Sequence, residues 1–381
     1  MKIETFNYTP NKGWSIKNFP NMDSEQTLIL VFAAPEFIDH PAPLNELAKH
    51  YPKSKIIGCS SAGEILGPNI MDNSIAVAVA KFEKTTIQIK NIAINKAEDS
   101  FPAGENIAKQ LNNEDLRSIL VLSDGLLVNG SELVKGLNTI EKENVIITGG
   151  LAGDGARFKK TWVIFNGEIY TNHIVAVGLY GKSLQIGFAS RGGWDIFGPE
   201  RFITRSKHNI LYELDGQPAL TLYKEYLGDR ATGLPSTGLL FPLAIRKDDL
   251  DKKHLVRTIL AVDEETQSLI FAGDVPTGYR AQLMRANFDR LIASAGEAGE
   301  AASTKMQMVN PGPILAVAIS CVGRRLLMGE RTEEETESIL ATLPAGTKQL
   351  GFYSYGELSP IIAGTCDLHN QTMTLTTFYE N

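Results

Sequence analysis

The seven-residue pattern G-x-x-S-x-G-E occurs twice in this chain, near opposite ends of the sequence. It reads GCSSAGE at residues 58–64 and GFYSYGE at residues 351–357. A third copy, GGLAGD at residues 149–154, is one residue shorter and carries Asp in place of Glu. Each copy follows an apolar run, which predicts a glycine loop at the end of a strand. Because glycine permits backbone conformations and close approaches that other residues forbid, three such loops indicate a repetitive fold that holds something small and polar.

Similar elements surround the three glycine loops in the same order. Each unit has an apolar run that predicts a buried strand, then a helix, a second strand that ends in the glycine loop, and a further strand. The first strands are predicted at residues 27–32, 118–122 and 314–320. We therefore predict an α/β fold, with α+β elements, in which repeated strand–helix–strand–glycine-loop–strand units form mixed sheets in two halves.

The segment between the second and third units predicts other elements. A β-hairpin is expected within residues 255–272. After Gly278, apolar residues that include Met284 and Phe288 lie at helical spacing, which predicts a helix with one face in the core. The stretch at residues 228–238 is rich in Gly, Pro and Thr and indicates a seam between two domains.

Length and composition limit the function classes that fit. The chain has 381 residues, which is enough for two domains with separate cores. Its net charge is −7 and it has no cluster of Lys or Arg, so it is a poor candidate for binding nucleic acid or anionic membranes. No apolar stretch approaches the roughly 20 residues of a membrane-spanning helix, and the N-terminus has no signal sequence. We expect a cytoplasmic protein without membrane insertion.

The cysteine and glycine patterns bear on metals and cofactors. Cys59, Cys321 and Cys366 have no spacing typical of zinc ligands or of a disulfide framework, which fits a reducing compartment. The glycine loops lack both the lysine of a phosphate-binding loop and the G-x-G-x-x-G spacing. We therefore predict no metal site and no cofactor.

Motifs along nearly the whole chain resemble those of the FIST family, a sensory module named for F-box and intracellular signal transduction proteins. Besides the glycine loops, they are GW at 193–194, LDGQPAL at 214–220, GDVPTG at 273–278, CVGRR at 321–325 and FYSYGEL at 352–358. The resemblance implies a FIST N-terminal sensory domain over residues 1–225 and a FIST C-terminal domain over residues 226–381. It also implies binding of small polar molecules such as amino acids. Since no kinase, cyclase, methyl-accepting or F-box segment is left over, we expect a separate output protein to receive the signal.

The candidate ligand-binding side chains lie in the glycine loops and directly after the third predicted central strand. They are Ser60, Ser61, Glu64, Asp154, Cys321, Arg324, Arg325, Ser354, Tyr355 and Glu357. Loop N–H groups, hydroxyls and an arginine fork suit a ligand carboxylate, whereas Glu64 or Glu357 suits an ammonium group. In the structural alternative, the serines cap turns and an arginine pairs with one of these glutamates.

Other function classes stay open at this stage. A nucleophile at Cys59 or Cys321 would make the chain an enzyme acting on a small metabolite if nearby cations lowered its pKa, although a strand-end cysteine is more often a small buried residue. A serine hydrolase is disfavoured, because GCSSA at residues 58–62 ends in Ala where the pattern G-x-S-x-G requires Gly. A scaffold for protein interactions would show a broad apolar surface patch. We assign no catalytic residue.

Overall fold

The computed structural model describes residues 1–140, 142, 144–248, 250, 255–306, 308, 312–361 and 365–381. The fold class is α/β with mixed sheets, as the sequence predicts. The strands, in chain order, are β1 Lys2–Thr9, β2 Gly13–Trp14, β3 Thr27–Ala33, β4 Lys55–Ser60, β5 Glu64–Leu66, β6 Asn69–Met71, β7 Ile75–Lys81, β8 Thr86–Ala93, β9 Leu116–Ser123, β10 Ile146–Leu151, β11 Val163–Phe165, β12 Glu168–Tyr170, β13 His173–Tyr180, β14 Leu184–Arg191, β15 Asp195–Lys207, β16 Ile210–Leu214, β17 Gln217–Pro218, β18 Leu243–Arg246, β19 Leu255–Arg257, β20 Ile259–Asp263, β21 Ser268–Phe271, β22 Arg280–Arg285, β23 Leu315–Cys321, β24 Lys348–Ser354, β25 Gly356–Pro360, β26 Cys366–His369 and β27 Met373–Glu380.

The helices lie between these strands. They are α1 Ala42–His50, α2 Ser100–Leu111, α3 Gly130–Leu137, α4 Ala219–Leu227, α5 Phe288–Lys305, α6 Val322–Met328 and α7 Thr332–Thr342. Short 3-10 helices occupy Pro35–Ile38, Ala97–Asp99, Gly228–Gly233, Ser236–Leu240 and Gly329–Arg331. Within the described part of the chain, none of the helices has the length and apolar character needed to span a membrane.

Three sheets share one pattern of strand pairing. In each, a central strand pairs in parallel with one strand and antiparallel with another: β3 with β4 and β7, β9 with β10 and β13, and β23 with β24 and β27. A helix crosses between the two parallel strands in each case, as a parallel pair requires. Because the central strands are covered on both faces, they are continuous apolar runs, such as TLILVF at residues 27–32.

The three sheets are linked because the hairpin that follows each glycine motif joins another sheet. The hairpin β5–β6 follows β4 but pairs with β24, β11–β12 follows β10 but pairs with β4, and β25–β26 follows β24 but pairs with β10. We call these three linked sheets and their helices the ring. Strands of residues 315–380 thus share sheets with strands of the first 191 residues, so both ends of the chain build one unit.

The inner faces of the three sheets form a shared core. Along β3, Leu30 and Phe32 point inward, whereas Ile29 and Val31 pack with α1 on the outer face. The inner cluster also contains side chains of β9 and β23, and Phe32 stacks on Phe352 of β24 with 4.5 Å between ring centroids. Contacts between residues far apart in sequence therefore hold the ring together.

The first glycine of each repeated motif lies inside a strand, which corrects the prediction of a strand-ending loop at that position. Gly58 of β4, Gly149 of β10 and Gly351 of β24 each lie opposite a residue of the central strand. At all three, an added Cβ would overlap the carbonyl oxygen of that residue. Glycine is needed here because the two backbones approach closely, and the turn to the next sheet begins only after these strands end.

Residues 195–285 form a separate β-rich unit, here called the inserted unit, between β14 and α5. Its strand order is β19-β18-β22-β15-β16-β21-β20, with β17 beside β16. Helix α4 packs Leu220 and Tyr223 against this sheet in a core of its own. The predicted hairpin is present as β20 and β21. The predicted domain boundary between residues 225 and 226 falls within α4 and stays a prediction.

The helix predicted to carry Met284 and Phe288 begins later than predicted. Arg280–Arg285 forms β22, and α5 starts at Phe288 after the capping residue Asn287, whose Oδ1 accepts a hydrogen bond from the amide of Arg290 at 3.3 Å. β22 has strand partners on both sides, β15 and β18. This tertiary pairing overrides the helical spacing of the apolar residues.

Candidate functional site

The three glycine motifs meet at the centre of the ring. Main-chain hydrogen bonds join each pair of motifs: Gly153 N to Ser60 O (3.0 Å), Ala62 N to Tyr353 O (2.9 Å) and Tyr355 N to Leu151 O (3.1 Å). Segments at opposite ends of the sequence are therefore in direct contact. What this region can bind depends on the partners of its side chains.

Glu64 and Glu357 make matching contacts with the residue that precedes a strand. Glu64 Oε2 accepts hydrogen bonds from the hydroxyl of Ser74 at 2.7 Å and from its amide at 3.3 Å. Glu357 Oε2 accepts from the hydroxyl of Thr372 at 2.9 Å and from its amide at 3.2 Å, and Oε1 accepts from Ser354 Oγ at 2.7 Å. Burial raises the pKa of each carboxyl group to about 8, although these donors act in the opposite direction.

The two serines of the first motif cap local backbone. Ser60 Oγ accepts a hydrogen bond from the amide of Trp162 at 3.2 Å, and Ser61 Oγ accepts one from the amide of Gly63 at 2.9 Å. Both serines are buried. These are the contacts that the structural alternative expects of a turn serine.

Arg324 makes a buried ion pair, but not with a glutamate of the glycine motifs. Its Nε donates to Glu335 Oε1 at 2.6 Å, and its terminal nitrogens donate to the carbonyl oxygens of Gly192 at 2.6 Å and Leu291 at 2.8 Å. The side chains of Arg324 and Glu335 are both 0% exposed. The guanidinium group therefore joins α6 to α7 and α5, and we leave it out of the proposed ligand site.

Arg325 lies at the edge of an open cavity of about 450 Å³. Its terminal nitrogens donate to the two carboxylate oxygens of Asp72 at 2.9 and 2.7 Å. The guanidinium group lies over the ring of Tyr353, 5.6 Å from its centroid, and fills the space beside Gly63 where a side chain would otherwise stand. The same cavity is bordered by Glu330 and other residues of the α6–α7 connection.

The two cysteines considered as nucleophiles are both buried. Burial raises the pKa of the Cys59 thiol well above its ordinary value, and the nearby Glu64 adds to the shift. Burial also raises the pKa of Cys321 to about 12, with a further contribution from Glu357. Both groups are therefore thiols rather than thiolates at neutral pH, and a thiol is the weaker nucleophile.

A more enclosed cavity of about 260 Å³ lies where the ring meets the inserted unit, and we call it the central cavity. Its described lining residues are Ala156, Phe158, Pro235, Ser236, Leu239, Thr258, Ile259, Leu260, Ala272, Cys321, Val322, Gly323, Leu326, Tyr355 and Asn370. None of these residues is charged. Among the predicted site residues, Cys321 and Tyr355 belong to this lining.

Two buried polar side chains of the central cavity have no hydrogen-bond partner within the described part of the chain. Both Oδ1 and Nδ2 of Asn370 are unpaired, and the residue is 1% exposed. The hydroxyl of Thr258, on the inserted unit, is also unpaired in a residue that is 4% exposed. Leaving a buried donor or acceptor unpaired costs about 1–3 kcal/mol. Neither residue is among the ligand-binding side chains predicted from the sequence, and an Asn before a strand is ordinarily a turn residue.

Asp154 holds an aromatic wall of the central cavity in place. Its carboxylate accepts hydrogen bonds from the amides of Phe158, Lys159 and Lys160 at 2.8–2.9 Å and from the hydroxyl of Tyr355. Burial alone would raise the pKa of Asp154, but these donors outweigh it and lower the pKa. The Phe158 ring stacks on Tyr355 with 4.5 Å between centroids and an angle of 15° between the planes.

The backbone of Phe158 is in the left-handed region, with φ of 51°, and its side chain is 47% exposed. This conformation is uncommon for a bulky residue and persists only where neighbouring contacts hold it. A flat aromatic face is thus presented at the mouth of the central cavity. Over the ranges that the structure describes, no group of three or more His, Cys, Asp or Glu residues has an arrangement suited to a metal ion.

Comparison with known proteins shows which family the chain matches. The FIST N domain matches residues 27–217 and the FIST C domain matches residues 219–360. An uncharacterized protein of Methanocaldococcus jannaschii is 24% identical over 352 residues, covering 82% of this chain and 65% of that protein. The chain thus spans about two thirds of the length of that relative.

A solved structure of cyanuric acid hydrolase from A. caulinodans aligns with 78% of this chain and 99% of its own, at 10% identity and a TM-score of 0.19. A TM-score this low does not establish a shared fold. The two domain matches together cover most of the chain. The chain belongs to the FIST family, whose domains are sensory domains of signal transduction.

Proposed function

We propose that this protein is a small-ligand sensor and that the central cavity is its ligand site. One observation carries the proposal: the side chains of Asn370 and Thr258 are buried in the cavity lining without a hydrogen-bond partner. Ligand cavities are mainly apolar with a few convergent polar groups, and this lining has that composition. A bound ligand that pairs with these groups removes the cost of leaving them unsatisfied.

The position of the cavity gives a route from binding to signalling. Asn370 belongs to the ring and Thr258 to the inserted unit, so a ligand that bonds to both stabilises one arrangement of the two units. Ligand binding shifts the population toward the arrangement that binds better. A separate output protein could then recognise the ligand-bound surface.

Amino acids and similar small polar molecules are the ligand class that we propose from the family resemblance. Because no described lining residue of the central cavity is charged, we place an ammonium or carboxylate group of the ligand outside it. The neighbouring cavity, which shares Val322 and Leu326 with the central one, contains Arg325 and Glu330. Cys321, Tyr355 and Arg325 are therefore the predicted residues that we retain in the site.

A thermal-shift screen over amino acids, carboxamides, nucleobases and carboxylic acids tests the proposal. A compound at 100 times its dissociation constant stabilises the folded protein by about 2.7 kcal/mol. The variants T258V and N370L should bind the compound at least about tenfold more weakly, so the same concentration should stabilise them less. T376V is the matched control, because Thr376 also has an unpaired buried hydroxyl but lies outside the central cavity. Equal stabilisation of all four proteins by every compound that binds would refute the proposed site.

A cysteine-nucleophile enzyme is the second candidate, because Cys321 lines the same cavity. The raised pKa of its thiol argues against it at neutral pH. Alkylation by iodoacetamide, followed from pH 6 to pH 9, separates the two candidates. Slow alkylation whose rate shows no titration midpoint below pH 9 supports the sensor. Rapid alkylation of Cys321 whose rate titrates with a midpoint below pH 8 would favour the enzyme.

A further inference from the structure

We infer that the ligand of the central cavity presents an uncharged amide edge, with an N–H and a C=O side by side, to Asn370. This inference rests on the proposed function of the same cavity and names the chemical class that it selects. Primary carboxamides and lactams both have such an edge. The inference draws on the two free atoms of Asn370, on the uncharged lining and on the aromatic wall.

The first step concerns the side-chain amide of Asn370. Its Oδ1 is an acceptor and its Nδ2 a donor, both in one plane, and both are unpaired in a residue that is 1% exposed. A planar donor–acceptor pair is best matched by a second planar pair in the opposite sense, as when Asn bonds through both atoms to the edge of adenine. Because neither atom has a partner, the match holds for either orientation of the amide.

The second step concerns charge. The described lining contains no Lys, Arg, Asp or Glu that could neutralise a charged group. Moving a carboxylate or an ammonium group from water into such a site is far more costly than moving a neutral amide that forms two hydrogen bonds. The hydroxyl of Thr258 can donate or accept, so it adds a third bond to a neutral ligand.

The third step concerns shape. The Phe158 ring stacks on Tyr355 at the cavity wall and remains 47% exposed. Aromatic faces pack best against flat groups, and Asp154 fixes this wall through the backbone amides of residues 158–160. Because Phe158, Tyr355 and Asn370 line the same cavity, we expect a planar amide, either as a side-chain carboxamide or within a ring, to be preferred there.

Two matched probe pairs test the inference by calorimetry on the full chain. L-glutamine and L-glutamate differ only in carboxamide against carboxylate, and uracil and 1,3-dimethyluracil differ in the ring N–H groups. We expect glutamine or uracil to bind, and its matched partner to bind at least about 100-fold more weakly, because a site built to hydrogen-bond discriminates strongly against an analogue that leaves its groups unpaired. The glutamine and uracil arms distinguish an amino-acid ligand from a cyclic one.

Variants at Asn370 complete the test. N370L should abolish binding of the active probe, N370D should weaken it because one donor is lost, and T376V should leave it unchanged. Equal binding of glutamate and glutamine, or of dimethyluracil and uracil, would overturn the inference. The inference is also overturned if none of the four probes binds but another compound from the screen binds the wild type and binds N370L more weakly. In that case the proposed function stands. If no compound binds more weakly to the Asn370 or Thr258 variants than to the wild type, the inference and the proposed function both fail.

Discussion

Two buried polar side chains of the ring, Arg324 and Glu357, have protein partners, whereas two in the lining of the central cavity, Asn370 and Thr258, have none among the described residues. Arg324 donates to Glu335 and to two carbonyl oxygens, and Glu357 accepts from two side chains and a backbone amide. Asn370 and Thr258 are equally inaccessible to solvent but have no hydrogen-bond partner for their side chains. We assign Arg324 and Glu357 to the stability of the fold, and we assign Asn370 and Thr258 to a ligand because they are unpaired and also line a cavity.

The largest effect expected of a single substitution comes from breaking the buried ion pair between Arg324 and Glu335. R324L leaves the carboxylate of Glu335 buried without its cation, and we expect a loss of about 3–5 kcal/mol in the free energy of unfolding. R205L is the control, because Arg205 pairs with Glu213 at 2.8 Å through side chains that are 56% and 30% exposed, and such pairs contribute about 0–1 kcal/mol. Urea denaturation measures both variants. Equal losses would contradict the contrast between the two arginines.

The second effect is a fall in stability as pH rises. Glu64 and Glu357 have pKa values of about 8 in the folded protein, against about 4.3 in an unfolded chain. Between these values the folded state holds protons that the unfolded state releases, so each group lowers stability by up to about 1.4 kcal/mol per pH unit as the pH rises.

The double variant E64Q/E357Q isolates this contribution. Glutamine is neutral at every pH and keeps an oxygen that can accept from Ser74 or Thr372. Urea denaturation at pH 5, 6, 7 and 8 should give a flatter pH dependence for the double variant than for the wild type. Parallel pH profiles of the two proteins would show that the two carboxyl groups are already ionised in the folded state. Loss of ligand binding in the double variant would show that the glutamates belong to the ligand site after all.

The third effect concerns the aromatic wall of the central cavity that Asp154 holds in place. D154N replaces one carboxylate oxygen with an NH2 group, so either the amide of Phe158 or the amides of Lys159 and Lys160 lose their acceptor. We expect a loss of about 2 kcal/mol in the free energy of unfolding together with weaker ligand binding. D39N is the control, since Asp39 forms an ion pair with Lys160 through side chains that are 65% and 46% exposed. Thermal unfolding and calorimetry measure the two consequences. A D154N protein as stable as D39N would show that the carboxylate does not hold this segment.

The smallest effect distinguishes paired from unpaired threonines. T258V and T376V each remove an unpaired buried hydroxyl, so neither substitution should lower the free energy of unfolding. T372V removes a hydroxyl that donates to Glu357 and should lose about 1–2 kcal/mol. If T258V destabilises the protein as much as T372V, Thr258 has a partner in solution and the comparison between the two regions weakens.

Much of the fold was predictable because its elements are locally encoded. Apolar runs such as residues 27–32 predict buried strands from their own composition, and the order of strands and helices follows from such runs. Where the sequence misled, a distant strand decided the outcome. Residues that include Met284 have helical spacing, yet β22 forms because β15 and β18 flank it.

In the glycine motifs, too, the sequence predicted some features of the site and the tertiary structure decided the others. Their repetition predicted three related segments, and the side chains of Ser61, Glu64 and Asp154 are polar and buried in the structure. The partners of these side chains come from segments that the sequence does not mark, such as Ser74 for Glu64. Burial and pairing depend on these contacts, so spacing alone could not separate a structural glutamate from a ligand contact.

The sequence by itself determined the family and the α/β class, whereas the close approach of strands at Gly58, Gly149 and Gly351 is seen only in the tertiary structure. Tertiary structure alone decided that hairpins join neighbouring sheets, that Arg324 pairs with Glu335, and that Asn370 faces a cavity without a partner. The physical reason is that hydrophobic periodicity and backbone sterics act within a few residues, whereas the satisfaction of a buried polar group depends on whichever distant segment packs against it.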